Sequence, residues 1–345
     1  DNQWDDANFG GETTWGFVQE TNLANSSLKI NTGKGAVNLK GDIGKGQALD
    51  TLNIEGGTVR IGDKTNKVTD YNNGTVYVDH GLKITGTGSV TVGGEIHSGE
   101  SEETDTSTTL DDKYKDSVTI ESAGNIEVHG ITSNAYDVPN TDGTTTTRGG
   151  KIKLTSTGAE GVITLGDGVD YNGKNTNGGV LKAAGTANDS VVIDAQGAKS
   201  KFVNKTSSTK AIDTKGKWKI YSASPERNTF GKNLNSGTDA QWTTNSTKFA
   251  AADSNENKYI FQTTPTITLY VEDHEKTYGD DITDKLQSYL KSREEFTGLD
   301  KKLHNVNEFT DAFQEKEYTK YISVPEGQNI TVTSVGKDGV DGAVG

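Results

Sequence analysis

The sequence predicts a mainly β protein, a right-handed parallel β-helix (a solenoid) followed by a small α+β domain. Three observations carry this expectation. Between Ser27 and Val203 the apolar residues fall in short Val/Ile/Leu runs that alternate with polar residues and are separated by Gly, Asn and Asp turns. The runs are four or five residues long, short for the faces of a β-sandwich. Five Tyr and one Phe are the only aromatics in that region, and the interior of a narrow coil is filled by aliphatic side chains.

Residues 1–26 read as an N-terminal segment or cap. The coil, over 27–216, begins with SLKI, AVNL, TLNI, TVRI, TVYV, LKI and SVTV, and continues through SVTI, NIEV, KIKL, VITL, GVLK and VVID. Most place Val, Ile or Leu on one face and Thr, Lys, Asp or Asn on the other. A turn of roughly 20 to 25 residues gives about seven or eight rungs, and stacking at ~4.8 Å makes a rod about 35 Å long. Each rung buries its apolar residues against its neighbours, so a chain that is 30% hydrophobic suffices.

Two stretches break the rhythm. Residues 98–117 and 132–150 are polar and Thr-rich, and read as long loops extruded from single rungs. Loops on a rigid scaffold are where binding concentrates, so Tyr114, Tyr136, Asp137, Thr147 and Arg148 are the expected contact residues.

Residues 217–263 gather aromatics abruptly. An open solenoid end exposes apolar core and unpaired strand edges, and must be covered. Trp218, Tyr221, Phe230 and Trp242 are therefore expected to form a structural cap, buried over the last rung. Solvent-exposed, coplanar rings there would instead make a sugar platform. Residues 264–345 change character again: TPTITLYVED reads as a strand, and DDITDKLQSYLKSREEF places Ile282, Leu286, Tyr289, Leu290 and Phe296 on one helical stripe behind an Asp280/Asp281 cap. A shorter helix is expected over 305–317 and a closing strand at NITVTS.

Composition narrows the function. A net charge of −14 argues against nucleic acid, whose phosphates demand basic surface. Zero Cys excludes disulfides and thiol chemistry, and zero Met suggests a processed product or an internal fragment. No run approaches the 18 apolar residues of a membrane span, so no membrane insertion is expected. The carboxylate pairs Asp5–Asp6, Glu102–Glu103, Asp111–Asp112 and Asp280–Asp281 could suit a polysaccharide-active β-helix enzyme. Such a lyase also wants a basic partner, and the chain holds four Arg. No catalytic residue or cofactor is expected, and no metal: His80, His97, His129, His274 and His304 lack ligand spacing. The oxygen-rich 140–143 and 166–175 match no calcium loop and read as solvated turns. Candidate glycosylation sequons stand at Asn25, Asn73, Asn188, Asn204, Asn245 and Asn329.

Rungs of the GSVTVGG and SVTIESAGNIEVHG type resemble the β-helices of filamentous-haemagglutinin-like exoproteins, the adhesins of the two-partner (type Vb) secretion pathway. The junction WKIYSASPERNTFGKNLNSGTDAQW, followed by NKYIFQTTPTITLYVEDHEKTYGDDI, resembles the segment leading into that family's MBG (YGX-type) domains, with a KTYG turn at Lys276–Gly279. The resemblance implies a secreted adhesin at a bacterial outer surface, exported by an outer-membrane transporter partner. It would bind a host or bacterial surface receptor or a glycan through loops on a β-helix stalk. A purely structural spacer is the further alternative.

Overall fold

The computed structural model describes residues 7–8, 13–15, 27–62, 74–99, 117–139, 142–167, 179–224, 227–231, 234, 241–242, 255–262, 269–271 and 290–292. The chain divides into two compact units, Asp1–Gln262 and Thr263–Gly345. The first is built of stacked parallel strands on three sheets, here called A, B and C, which the chain visits in that order once per turn. One full rung comprises Leu52–Gly56 on A, Val59–Ile61 on B and Val76–Val78 on C. The next repeats it as Leu82–Gly86, Val90–Val92 and Ile96–Ser98, and a third follows as Ser117–Ser122, Ile126–Val128 and Ile131–Ser133. The fold is thus the expected parallel β-helix.

Alternation of side chains along each strand decides what points inward. In sheet A, Ile30, Ile54, Ile84, Ile120, Leu154, Ile193 and Ile220 are register partners from rung to rung. Sheet B stacks Val37, Val59, Val90, Ile126, Ile163 and Phe202 in the same way. All are buried. Like side chains in like rotamers nest closely, so a single column of aliphatics makes a packed core. The repeat is longer and less even than expected: successive sheet A partners are 24 residues apart at Leu28–Leu52 and 39 at Ile152–Val191. The extra residues lie in excursions at the corners.

The corner from A to B is tight because backbone meets backbone there. Gly57 N–H donates to Gly35 O at 2.6 Å, Gly88 to Gly57 at 2.7 Å and Gly124 to Gly88 at 2.8 Å, a ladder that continues the sheets around the bend. A Cβ on Gly57 would stand 2.2 Å from Lys34 O, so no other residue fits. Serines line the same corner. Ser122 Oγ donates to Gly88 O and Ser156 Oγ to Gly124 O, at 2.5 and 2.6 Å, satisfying carbonyls in the bend.

In the second unit, Leu269–Val271 pairs antiparallel with Leu290–Ser292. The helix expected over 280–296 therefore does not run through Leu290–Ser292. Lys291 lies opposite Tyr270 in that pair, and tertiary pairing has overridden local helix propensity. The helix expected over 305–317 and the strand at NITVTS lie outside the described residues.

Candidate functional site

One of the three corners carries little, and the long insertions leave and rejoin the coil at the other two. From B to C the chain departs at Gly62 and returns at Gly74, and again departs after Asp167 and returns at Gly179. The ends of each excursion touch: a Cβ on Gly74 would lie 2.4 Å from Gly62 Cα, and one on Gly179 would lie 2.2 Å from Gly166 O. From C to A the chain departs at Gly99 and returns at Ser117, and one rung later departs at Asn134 and returns at Gly150. The described chain thus leaves and rejoins the coil at the two corners beside sheet C, while the glycine ladder keeps the A-to-B corner short.

The excursion at 134–150 is an antiparallel hairpin, Ala135–Pro139 against Thr145–Gly149. Tyr136 lies opposite Arg148, and Asp137 opposite Thr147, so four of the five expected contact residues form two adjacent cross-strand pairs. Asp142 closes the turn by accepting from Thr144 N–H at 2.9 Å and from its hydroxyl at 2.6 Å. These two bonds hold the Asp142 carboxyl below the ordinary carboxylate value. Thr144–Thr147 are exposed and Arg148 is partly so.

Tyr136 is different. It is 5% exposed, and its ring meets His80 edge-on at 5.3 Å. As a displayed contact residue it is corrected to an anchor, because its side chain turns toward the coil. His80 Nδ1 in turn sits 2.6 Å from Asp50 Oδ1, with both side chains buried. Asp50 Oδ2 accepts from Ser27 Oγ at 3.0 Å, Ser27 Oγ accepts from Thr51 Oγ1 at 2.7 Å, and Ser98 Oγ donates to His80 O. The hairpin is therefore pinned to a polar cluster drawn from several rungs. Tyr114 and the side chain of Asp137 lie outside the described residues.

Sheet C presents a row of outward side chains, one per rung: Tyr77, His97, Thr132, Lys182 and Asp213. Tyr77 and His97 are stacked, with ring centroids 4.9 Å apart and planes within 9°. Glu95 Oε2 lies 3.3 Å from His97 Nε2. The hydrogen bond from His97, helped by the His97 and Lys182 charges, holds the Glu95 carboxyl below its usual range against the opposing effect of burial. Asp213 pairs with Lys210 at 2.5 Å. Sequence reading missed this row. Val76–Val78 shows the apolar alternation, but Ile96–Ser98, Ile131–Ser133 and Ile212–Thr214 each offer one aliphatic residue and, two positions on, a hydroxyl, so nothing periodic marks the row as a whole.

The aromatic junction sits at the far end of the coil. Trp218 and Tyr259 meet edge-on at 5.0 Å, Tyr259 and Phe230 at 4.9 Å, and Tyr259 and Phe261 stack at 6.2 Å. Trp218, Phe230, Tyr259 and Phe261 are all buried, and Tyr259 Oη donates to Leu234 O at 2.7 Å. Tyr221 is buried too, but in another place. Alternation from Ile220 turns it to the outer face of sheet A, where it clusters with Val192 and Ile260. Trp242 pairs with Phe261 in the terminal strands, and its side chain lies outside the described residues.

Of the sequons, Asn188 is exposed, and its amide donates to Asn255 Oδ1 at 2.6 Å. Asn204 is corrected: it is 2% exposed, with Nδ2 donating to Phe230 O and Oδ1 accepting from Thr206 N–H, so its amide serves the coil and cannot carry a sugar in the folded chain. Asn25, Asn73, Asn245 and Asn329 lie outside the described residues. Among the described residues no group of three His, Asp or Glu side chains is placed to hold a metal ion, and no helix is long and apolar enough to cross a membrane.

The chain was compared with protein-family models, curated proteins and solved structures. None matches. The functional reading therefore rests on the chain's own residues.

Proposed function

We propose that this protein is a binding module of the secreted-adhesin kind, displayed at a bacterial outer surface after export through an outer-membrane transporter. It attaches to a receptor or glycan on another cell. The observation that carries this reading is the placement of the excursions. The hairpin and three further excursions leave the described coils at the two corners bordering sheet C. A coil serving only as a spacer has no reason to place its insertions at two corners and spare the third, whereas a scaffold that presents loops does. The polar cluster of Asp50, His80 and Tyr136 supports the same reading, since it holds the hairpin in one position and reduces the ordering cost of a contact.

The test is attachment of the purified full chain to bacterial and epithelial cells. It is compared with a chain in which residues 136–148 and 100–116 are each replaced by short Gly-Ser links. Loss of attachment is expected while the shortened chain still unfolds cooperatively in urea, its midpoint lowered only by the lost Tyr136 packing. Full attachment by the doubly shortened chain would overturn the reading in favour of a spacer. Depolymerisation of a polysaccharide by the full chain would overturn it in favour of an enzyme.

A further inference from the structure

We infer that the outer face of sheet C is itself a binding site, and that its ligand is a neutral, hydroxyl-rich polysaccharide strand lying along the coil axis across Tyr77, His97, Thr132 and Lys182. The inference rests on the attachment reading and names the chemistry of its ligand.

The row has the spacing of a linear polymer. Its members are register partners on successive rungs, so the side chains recur at the inter-strand step of about 4.8 Å. An extended chain of pyranoses advances by a comparable step per residue. One protein group can then meet each sugar in turn.

The chemistry of the row is mixed. A phenol, an imidazole, a hydroxyl, an ammonium and a carboxylate follow one another, with the Glu95 carboxylate beside them. Sugar hydroxyls both donate and accept, and can bond every member. A polyanion would meet the Glu95 and Asp213 carboxylates on a chain of net charge −14, and a polycation would find Glu95 already paired with His97 and Asp213 with Lys210, with the Lys182 ammonium between them. Charge complementarity therefore favours a neutral strand.

The row is also held in place before any ligand arrives. His97 is fixed on one side by the Glu95 carboxylate and on the other by the face of Tyr77. Its side chain keeps 24% of its surface exposed. Side chains already confined lose little rotamer freedom on binding. Sheet A offers no equivalent face over its last rungs, where the outward residues Val192, Asp194, Lys219 and Tyr221 are buried.

The experiment is affinity electrophoresis of the full chain in gels containing dextran, laminarin, mannan or xylan, with heparin and polylysine as charged comparators. Retardation by at least one neutral polymer is expected. It should fall by about tenfold in H97A and in K182A, the latter an exposed position where folding is safe, and persist in K153A on sheet A. Folding of each variant is checked by its urea midpoint. Retardation by heparin alone, by no neutral polymer, or unchanged in H97A and K182A would overturn the inference. Should cell attachment depend on the hairpin while H97A and K182A attach normally, the attachment reading stands and this inference fails.

Discussion

Tyr136 lies edge-on to His80, its ring centroid 5.3 Å away, although the two residues stand on different turns of the coil. Between them in sequence lies the departure of another excursion, at Gly99. The contact thus ties the hairpin to earlier rungs and passes through His80 to the buried Asp50 carboxylate.

Removing that ring should release the hairpin. Y136A is expected to lose about 3 kcal/mol, the usual cost of deleting a large buried aromatic. Limited proteolysis should then cut between Ala135 and Gly149 well before the coil. T145A, at an exposed position of the opposite strand, should stay within about 0.5 kcal/mol of the parent. Equal protease resistance of Y136A and the parent chain would show that the hairpin is held by something else.

Glu95 makes the coil sensitive to acid. Its folded carboxyl is held below the value of 4.5 that it has when free, chiefly by the hydrogen bond from His97. A depressed carboxylate stabilises the fold above the unfolded value, and that contribution is lost as pH falls through the folded value. The urea midpoint of the parent chain should therefore drop more steeply than that of E95Q as pH is lowered from 4.5. Parallel curves for the two proteins would remove Glu95 from the acid response. The effect is small, since about half of this side chain faces water.

Lys219 should respond in the alkaline direction. Its side chain is buried on the outer face of sheet A, and its ammonium donates to Glu256 O at 2.5 Å. Burial first, and the neighbouring Lys258 charge second, lower its value below the ordinary 10.5. Between the lowered folded value and 10.5 the unfolded chain binds more protons, so the cost of burying this ammonium fades as pH rises through that window. K219M should be as stable as the parent or more so near about pH 7, with the difference shrinking towards about pH 10. Tyr221 acts oppositely: burial and the Asp194 charge raise its phenol above 10, so folding weakens once unfolded tyrosines ionise. Denaturation curves of the two proteins taken below that point separate the effects. A K219M difference that grows with pH would contradict the argument.

The coil was legible because sheets A and B repeat the same local statement. Leu52 and Ile54, or Val90 and Val92, are aliphatic residues two apart, and period-2 alternation fixes which side of the strand is buried without reference to any other part of the chain. The aromatic end was legible for a similar reason, since large rings gather where a stack of narrow rungs must be closed. Even there the sequence did not separate Trp218, which faces inward, from Tyr221, which faces out.

Composition and alternation, then, determined the parallel coil, its aliphatic columns and the two acidic or Thr-rich breaks at 98–117 and 132–150. The tertiary structure decided the rest. Strands such as Ile96–Ser98 and Ile131–Ser133 carry one aliphatic residue each and give no periodic signal, so their place in sheet C follows from pairing with neighbouring rungs. Tyr77, His97, Thr132, Lys182 and Asp213 become a row through register alone, since unequal stretches of chain separate them, with excursions between His97 and Thr132 and between Thr132 and Lys182. Tyr136 and His80 meet for the same reason. Backbone pairing at a fixed inter-strand step brings together residues whose distance in sequence is set by loops, and no local pattern records that distance.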